Sequence, residues 1–118
     1  DLHISSAHRN PEKTIALAQN AETEGIEIII AGAGLSAHLP GFIAAHTTLP
    51  VIGIPFAAGA LNGLDSLFSI VQMPAGVPVA CMAINGAKNA ALFAIQILCL
   101  KDKALEEKYS AYKKGLKS

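Results

Sequence analysis

Apolar residues along this chain fall in short dense runs, separated by glycine, proline and small polar residues, and their spacing alternates between strand and helix periods. Residues 2–5 predict a short first strand. Asn10-Pro11 then opens a helix, since Asn is a favoured N-cap and Pro at the first helical position gives up no needed N–H. Ile15, Leu17, Ala18 and Ala21 supply its apolar face, and Gly25 stops it. Residues 27–31, a continuous run through Ile28, Ile29 and Ile30, predict a strand buried on both faces. A second helix is expected over about 39–46 and a further strand over 51–55. Leu64, Leu67, Phe68 and Val71 mark a third helix, ended by Met73-Pro74. A fourth strand over 77–84 and a long apolar helix over 87–100 follow. Residues 101–117 carry Leu105, Tyr109, Tyr112 and Leu116 on one stripe, which predicts a surface helix docked on the body or on a neighbouring copy.

Strands and helices thus alternate with short connections. That pattern specifies an α/β fold: a parallel sheet with helices on both faces, in three layers. With 118 residues there is room for one domain, 1–118, of which 101–118 form a tail helix.

Charge changes the picture by its distribution. The net charge is zero, which gives no electrostatic basis for binding nucleic acid or a membrane surface. Between residues 28 and 100, however, Asp65 and Lys88 are the only charged side chains. Such a stretch cannot cover itself with an ordinary solvated surface, so the expectation is a homo-oligomer with a large apolar interface. Cys81 and Cys99 sit inside apolar runs without CxxC spacing, which fits reduced thiols and a cytoplasmic location. No apolar run approaches the roughly 20 residues that cross a bilayer.

Ligands of open α/β sheets bind outside the carboxyl ends of the strands, here the loops at 5–10, 31–40, 55–63 and 84–89. The first places Ser5, Ser6, His8 and Arg9 just before a helix N-terminus. Backbone N–H groups favour an anion there, Arg9 adds a partner for phosphate or carboxylate, and an imidazole can carry a proton beside it. A helix cap with an incidental surface His and Arg is the plainer alternative. The second loop, Ala31-Gly32-Ala33-Gly34-Leu35-Ser36-Ala37-His38-Leu39-Pro40-Gly41, lets backbone approach a ligand closely. It is not a dinucleotide fingerprint, because Ala37 stands where the third glycine belongs. Taken alone, His38 reads as a hydrogen-bonded structural histidine. In the third, Asn62 and Asp65 suit the start of a helix, and Met73-Pro74 could wall a pocket. His3, His8, His38 and His46 lack metal-ligand spacing, and no GxSxG elbow supports a serine triad.

Ser6-Ala7-His8-Arg9, Ala31-Gly32-Ala33-Gly34 with Ala37-His38-Leu39-Pro40-Gly41, Asp65-Ser66-Leu67 with Ser69-Ile70-Val71-Gln72-Met73-Pro74, and Asn89-Ala90-Ala91-Leu92 occur in that order. Together they resemble the PurE family of de novo purine (IMP) biosynthesis, in its class I form, the N5-carboxyaminoimidazole ribonucleotide (N5-CAIR) mutases. The resemblance implies a flavodoxin-like three-layer αβα sandwich assembled as a homo-octamer. It implies an isomerase that moves a carboxylate from N5 to C4 of the substrate with no cofactor and no metal: the carbamate loses CO2, C4 attacks it, and a histidine handles the proton. Carried over, that histidine is His8. Ser6 and Arg9 would hold the 5′-phosphate or the carboxylate, and Ala33, Gly34, His38 and Leu39 would line the pocket for the imidazole and CO2. His46 and Phe56 are given no role. Arg9 and Gly32-Ala33-Gly34 favour the mutases over the related CO2-using carboxylases, whose first motif tends to read Ser-Ala-His-Lys; a non-catalytic flavodoxin-like module that binds a phosphorylated metabolite is the alternative of a different class. The family's opening strand and Gly-Ser-x-Ser-Asp phosphate loop have no counterpart here. That strand lies centrally in the fold, so the expectation is a sequence incomplete at its N-terminus, a gap in the sheet, and a piece neither active nor well folded alone.

Overall fold

In the computed structural model, which describes residues 1–117, the sheet is parallel with order β1-β2-β3: β1 is Ile29–Gly34, β2 is Val51–Phe56 and β3 is Ala80–Cys81. The helices are α1 (Pro11–Asn20), α2 (Leu39–Ala44), α3 (Leu64–Val71), α4 (Ala87–Cys99) and α5 (Lys103–Gly115). Ser118, the end of the expected tail helix, lies outside the described residues.

The pairing of β1 with β2 runs from Ile29 opposite Val51 to Gly34 opposite Phe56. Side chains alternate across a sheet, so Val51 and Gly53 face one side and Ile52 and Ile54 the other. On the first side, Val51 joins Ala31, Ala18 of α1 and Ile43 of α2, with Leu39 and Val79 packed around them. Fully buried Ile70 brings α3 to the same side, against Gly53. On the second side, Ile52 and Ile54 meet Ala90 of α4, with Phe93, Ala94 and Ile97 around them. Helices therefore cover both faces, the three-layer arrangement that the alternation predicts. The outermost helix, α5, packs on α4, capped by Asp102, whose Oδ1 accepts from Leu105 N at 3.0 Å.

Local signals hold at α1. Asn10 is its N-cap and accepts from Lys13 N at 3.1 Å, with Pro11 in the first turn. The helix ends at Asn20, and the chain turns through Gly25 (φ 84°).

Three strand expectations are corrected. Residues 2–5 form no strand: Leu2 and Ile4 are 93% and 87% exposed, and the segment is tied to α1 instead. Lys13 Nζ donates to Ile4 O at 2.8 Å, and the Ser5 and Thr14 hydroxyls bond at 2.7 Å. A strand without a ladder partner has neither hydrogen bonds nor a buried face to hold it. The strand expected at 27–31 sits later, because its glycine-rich end continues the ladder with Ile54, Pro55 and Phe56. Nor is it buried throughout: Ile30 is 43% exposed, on the face that α4 covers. The strand expected at 77–84 shortens to Ala80–Cys81, which pair with Ile52 and Gly53 at the sheet's edge.

The Cα radius of gyration is 15.0 Å, above the roughly 13.5 Å of a compact domain of this length.

A tight packing constraint lies at a buried position of β2. A Cβ at Gly53 would stand 2.5 Å from Ile70 Cγ2 and 3.1 Å from Val79 Cγ1. Gly53→Ala should therefore cost about 1–3 kcal/mol by overpacking, read as a lower urea midpoint at unchanged slope. An unchanged midpoint would show that α3 is not seated against β2 as described.

Candidate active site

The first loop is built by the start of α1. Asn10 N donates to Ser6 O at 2.9 Å, which closes residues 6–10 into a single turn before the helix. Inside that turn Ser6 Oγ accepts from the Arg9 backbone N–H at 3.2 Å and from Arg9 Nε at 3.4 Å. Ser6 and Arg9 thus form one unit at a helix N-terminus. Among the described residues the ion pair found is Lys103 with Glu106 on α5, so no carboxylate neutralises Arg9. His8 and Arg9 are both exposed.

The second loop leaves the carboxyl end of β1. Leu35 takes a left-handed backbone (φ 55°), costly for a bulky residue. Two tight turns follow, Ala37 N to Leu35 O at 2.8 Å and His38 N to Ser36 O at 2.7 Å. They deliver His38 to the N-cap of α2, where its side chain makes no capping bond. It reaches His8 instead: His8 Nε2 and His38 Nδ1 are 2.5 Å apart, with ring centroids at 4.6 Å and planes at 72°. Two histidines 30 residues apart in sequence are thereby joined at one point.

The other residues named from the sequence divide. Ala33 and Gly34 belong to the last turn of β1's ladder, opposite Pro55 and Phe56. A Cβ on Gly34 would come within 3.0 Å of Ala58 Cβ, so the second and third loops approach closely here. Leu39 starts α2 and packs against the Ala18–Ala31–Ile43–Val51 core. His46 is a fold residue in the turn just after α2, with its Nδ1 bonded to Phe42 O of that helix at 2.8 Å. Asp65 stands in the first turn of α3 as expected, and its Oδ1 is buried without a hydrogen-bond partner among the described residues. Met73 packs on α2, 2.9 Å from where a Gly41 Cβ would stand.

Two residues support the loops: Phe56, which the sequence reading gives no role, and Asn85, which it does not name. The Phe56 ring lies over Gly32, where a Cβ would come within 2.2 Å of it, so this aromatic covers the end of β1. Asn85, in a left-handed backbone (φ 61°), accepts from Ala57 N at 3.0 Å and donates its own N–H to Pro55 O at 2.8 Å. It ties the third and fourth loops together. The Asn85-Gly86 pair was the available signal, since asparagine tolerates that conformation.

The arrangement offers an anion site (Ser6, Arg9 and the start of α1) beside a proton-carrying pair (His8, His38), with small residues next to them. Two open hollows lie elsewhere. One of about 490 Å³ sits near Ile26, Leu49 and Leu98, and one of about 530 Å³ lies between α4 and α5 near Phe93 and Tyr112. Neither contains His8 or His38. Among the described residues, the loops are where two imidazoles and the Arg9 guanidinium converge, which makes them the candidate site.

Comparison with known proteins identifies the family. The family model described as AIR carboxylase matches residues 1–118. A protein of Pyrococcus horikoshii named N5-carboxyaminoimidazole ribonucleotide mutase is 58% identical over 99% of this chain and 66% of its own length. The Escherichia coli K12 protein of that name is 52% identical over 97% of this chain and 69% of its own. The crystal structure of Treponema denticola PurE superposes with a TM-score of 0.81 at 30% identity, covering 95% of this chain and 70% of that one. This chain thus spans about two thirds of the length of such relatives, and over that span it belongs to the AIR carboxylase family.

Proposed function

We propose that the protein is an N5-CAIR mutase, an isomerase of purine biosynthesis that moves the substrate's carboxylate from N5 to C4. The observation that carries the reading is His8, held beside the Ser6–Arg9 anion site and bonded to His38. In this reading the carbamate carbon leaves N5 as CO2 while N5 gains a proton, C4 attacks the CO2, and C4 gives up its proton. His8 handles that proton. Ser6 and Arg9 hold the phosphate or the carboxylate. Ala33, Gly34, His38 and Leu39 line the space for the ring and the CO2, and small side chains suit a neutral three-atom molecule. Exclusion of water keeps the CO2 from escaping.

The protein works in the cytoplasm as a homo-octamer in the same reading. Leu61, Leu64, Phe68 and Val71 support assembly: they recur at helical spacing on and just before α3 and are 57%, 50%, 59% and 48% exposed. A stripe of that kind on a charge-poor stretch is what a subunit interface leaves uncovered in one copy.

The family model's description keeps direct carboxylation of aminoimidazole ribonucleotide by CO2 as the second reading. With ¹³C in the carbamate of N5-CAIR, the mutase reading expects label retained in the product during turnover in unlabelled bicarbonate, and equilibration with the bulk sinks it. His8→Asn in the full-length protein should lower kcat by about 10²–10⁴-fold, the usual worth of a general acid–base. Wild-type turnover by that variant would remove His8 from the chemistry. Light scattering should give a mass near eight subunits, and a monomer would refute the assembly.

A further inference from the structure

We infer that Leu35 is the apolar cover of the candidate site: its side chain reaches from the second loop to the third and keeps water from the space where CO2 is held. The inference adds a residue that decides the outcome of the mutase reaction, and it rests on that reading.

The backbone singles this residue out. Among the described residues, the left-handed positions fall to glycines (Gly25, Gly59, Gly63 and Gly76), to asparagines (Asn62 and Asn85) and to Leu35. Glycine and asparagine adopt that conformation readily, whereas the Cβ of a larger residue crowds the following carbonyl oxygen. Leucine therefore stands where its own chemistry suits it least, and the core does not require it there. Leu35 belongs to neither core cluster and is 55% exposed. Leu39, four residues on, packs into the core, which leaves Leu35 as the large apolar side chain at this loop's rim. A bulky side chain held at a strained, half-exposed position is placed for something other than stability.

Its contact shows what that is. Gly34 stands against Ala58, and Leu35 beside it lies over Gly59. A Cβ at Gly59 would be 2.8 Å from Leu35 Cδ2, and beyond its chain neighbours no other residue comes within 4 Å of that point. Leu35 thus closes a gap that the two loops leave open. Ala33 and Gly34 are too small to hold water away, and His38 follows three residues later. In the mutase reading the bond from N5 to the carbamate carbon breaks, its electron pair stays on N5, and N5 gains a proton. The CO2 then has two fates. C4 attacks it and gives up its own proton, or it meets bulk water and is lost as bicarbonate and a proton, leaving aminoimidazole ribonucleotide behind. A side chain that touches neither phosphate nor proton can decide between them, because it sets how freely water and CO2 exchange.

The test gives full-length protein carrying Leu35→Gly, Leu35→Ala or Leu35→Met N5-CAIR with ¹³C in its carbamate, in unlabelled bicarbonate. Labelled 4-carboxyaminoimidazole ribonucleotide is counted against aminoimidazole ribonucleotide released above the enzyme-free rate. The Gly and Ala variants should release about 10-fold more aminoimidazole ribonucleotide per turnover than wild type, the scale on which small changes in an apolar pocket act. Leu35→Met keeps the apolar bulk and should restore retention. Leu35→Gly should also unfold at a urea midpoint no lower than wild type, since it relieves the left-handed strain. A merely structural role would lower kcat and leave the ratio of the two products unchanged, and that result would overturn the inference. So would a Met variant that leaks as the Gly variant does, or a Gly variant with a lower midpoint. Wild type that retains its label beside Gly and Ala variants that retain it equally would remove the cover and leave the mutase standing. Wild type that equilibrates its label, or fails to turn N5-CAIR over, would refute the mutase reading and the cover with it.

Discussion

The six-residue parallel ladder between β1 and β2 is the constraint on which everything else depends. Its register brings Gly34 level with Phe56, so the loops that leave both strands start from one height at the sheet's carboxyl end. The same register sends Val51 and Gly53 towards α1, α2 and α3, and Ile52 and Ile54 towards α4. A slip of one residue would exchange the two faces and bury the wrong set. Gly53 leaves no room for a side chain, because Ile70 occupies the space it would need.

From that height the site follows with few further parts. Thr14 is buried and bonded to Ser5, which seats the segment before α1 on the body. The turn at 6–10 then presents His8, and the strained loop after Gly34 presents His38. Glycine matters here in one respect only: Gly32 and Gly34 make room for Phe56 and Ala58, which close the end of β1. The loop that brings the two imidazoles together carries the left-handed Leu35 and ends on α2 without a side-chain cap, as α3 and α4 also do, whereas Asn10 and Asp102 cap α1 and α5.

Much of this was legible in the residues. Period and punctuation located α1, α2, α3 and α4, because Asn10-Pro11, Pro40 and Pro74 act locally. Strands were read less well, since a ladder depends on partners distant in sequence. Residues 2–5 have strand composition and no partner, and β1 runs on through glycines that look like a loop. The contact of Ser6 with Arg9 was readable from spacing, because serine three residues before arginine within a turn is a local arrangement. The pairing of His8 with His38 was not. On its own His38 looked structural, and only the fold brings it to His8.

In the proposed mutase, the two loops raised by the β1–β2 register form one site centred on His8. The most direct measurement is a crystal structure of the full-length protein with 4-carboxyaminoimidazole ribonucleotide bound. It should place the ligand's ring within hydrogen-bond reach of His8 and one of its anionic groups on Ser6 and Arg9. A ligand seated in the hollow between α4 and α5, or bound with His8 out of reach, would contradict it.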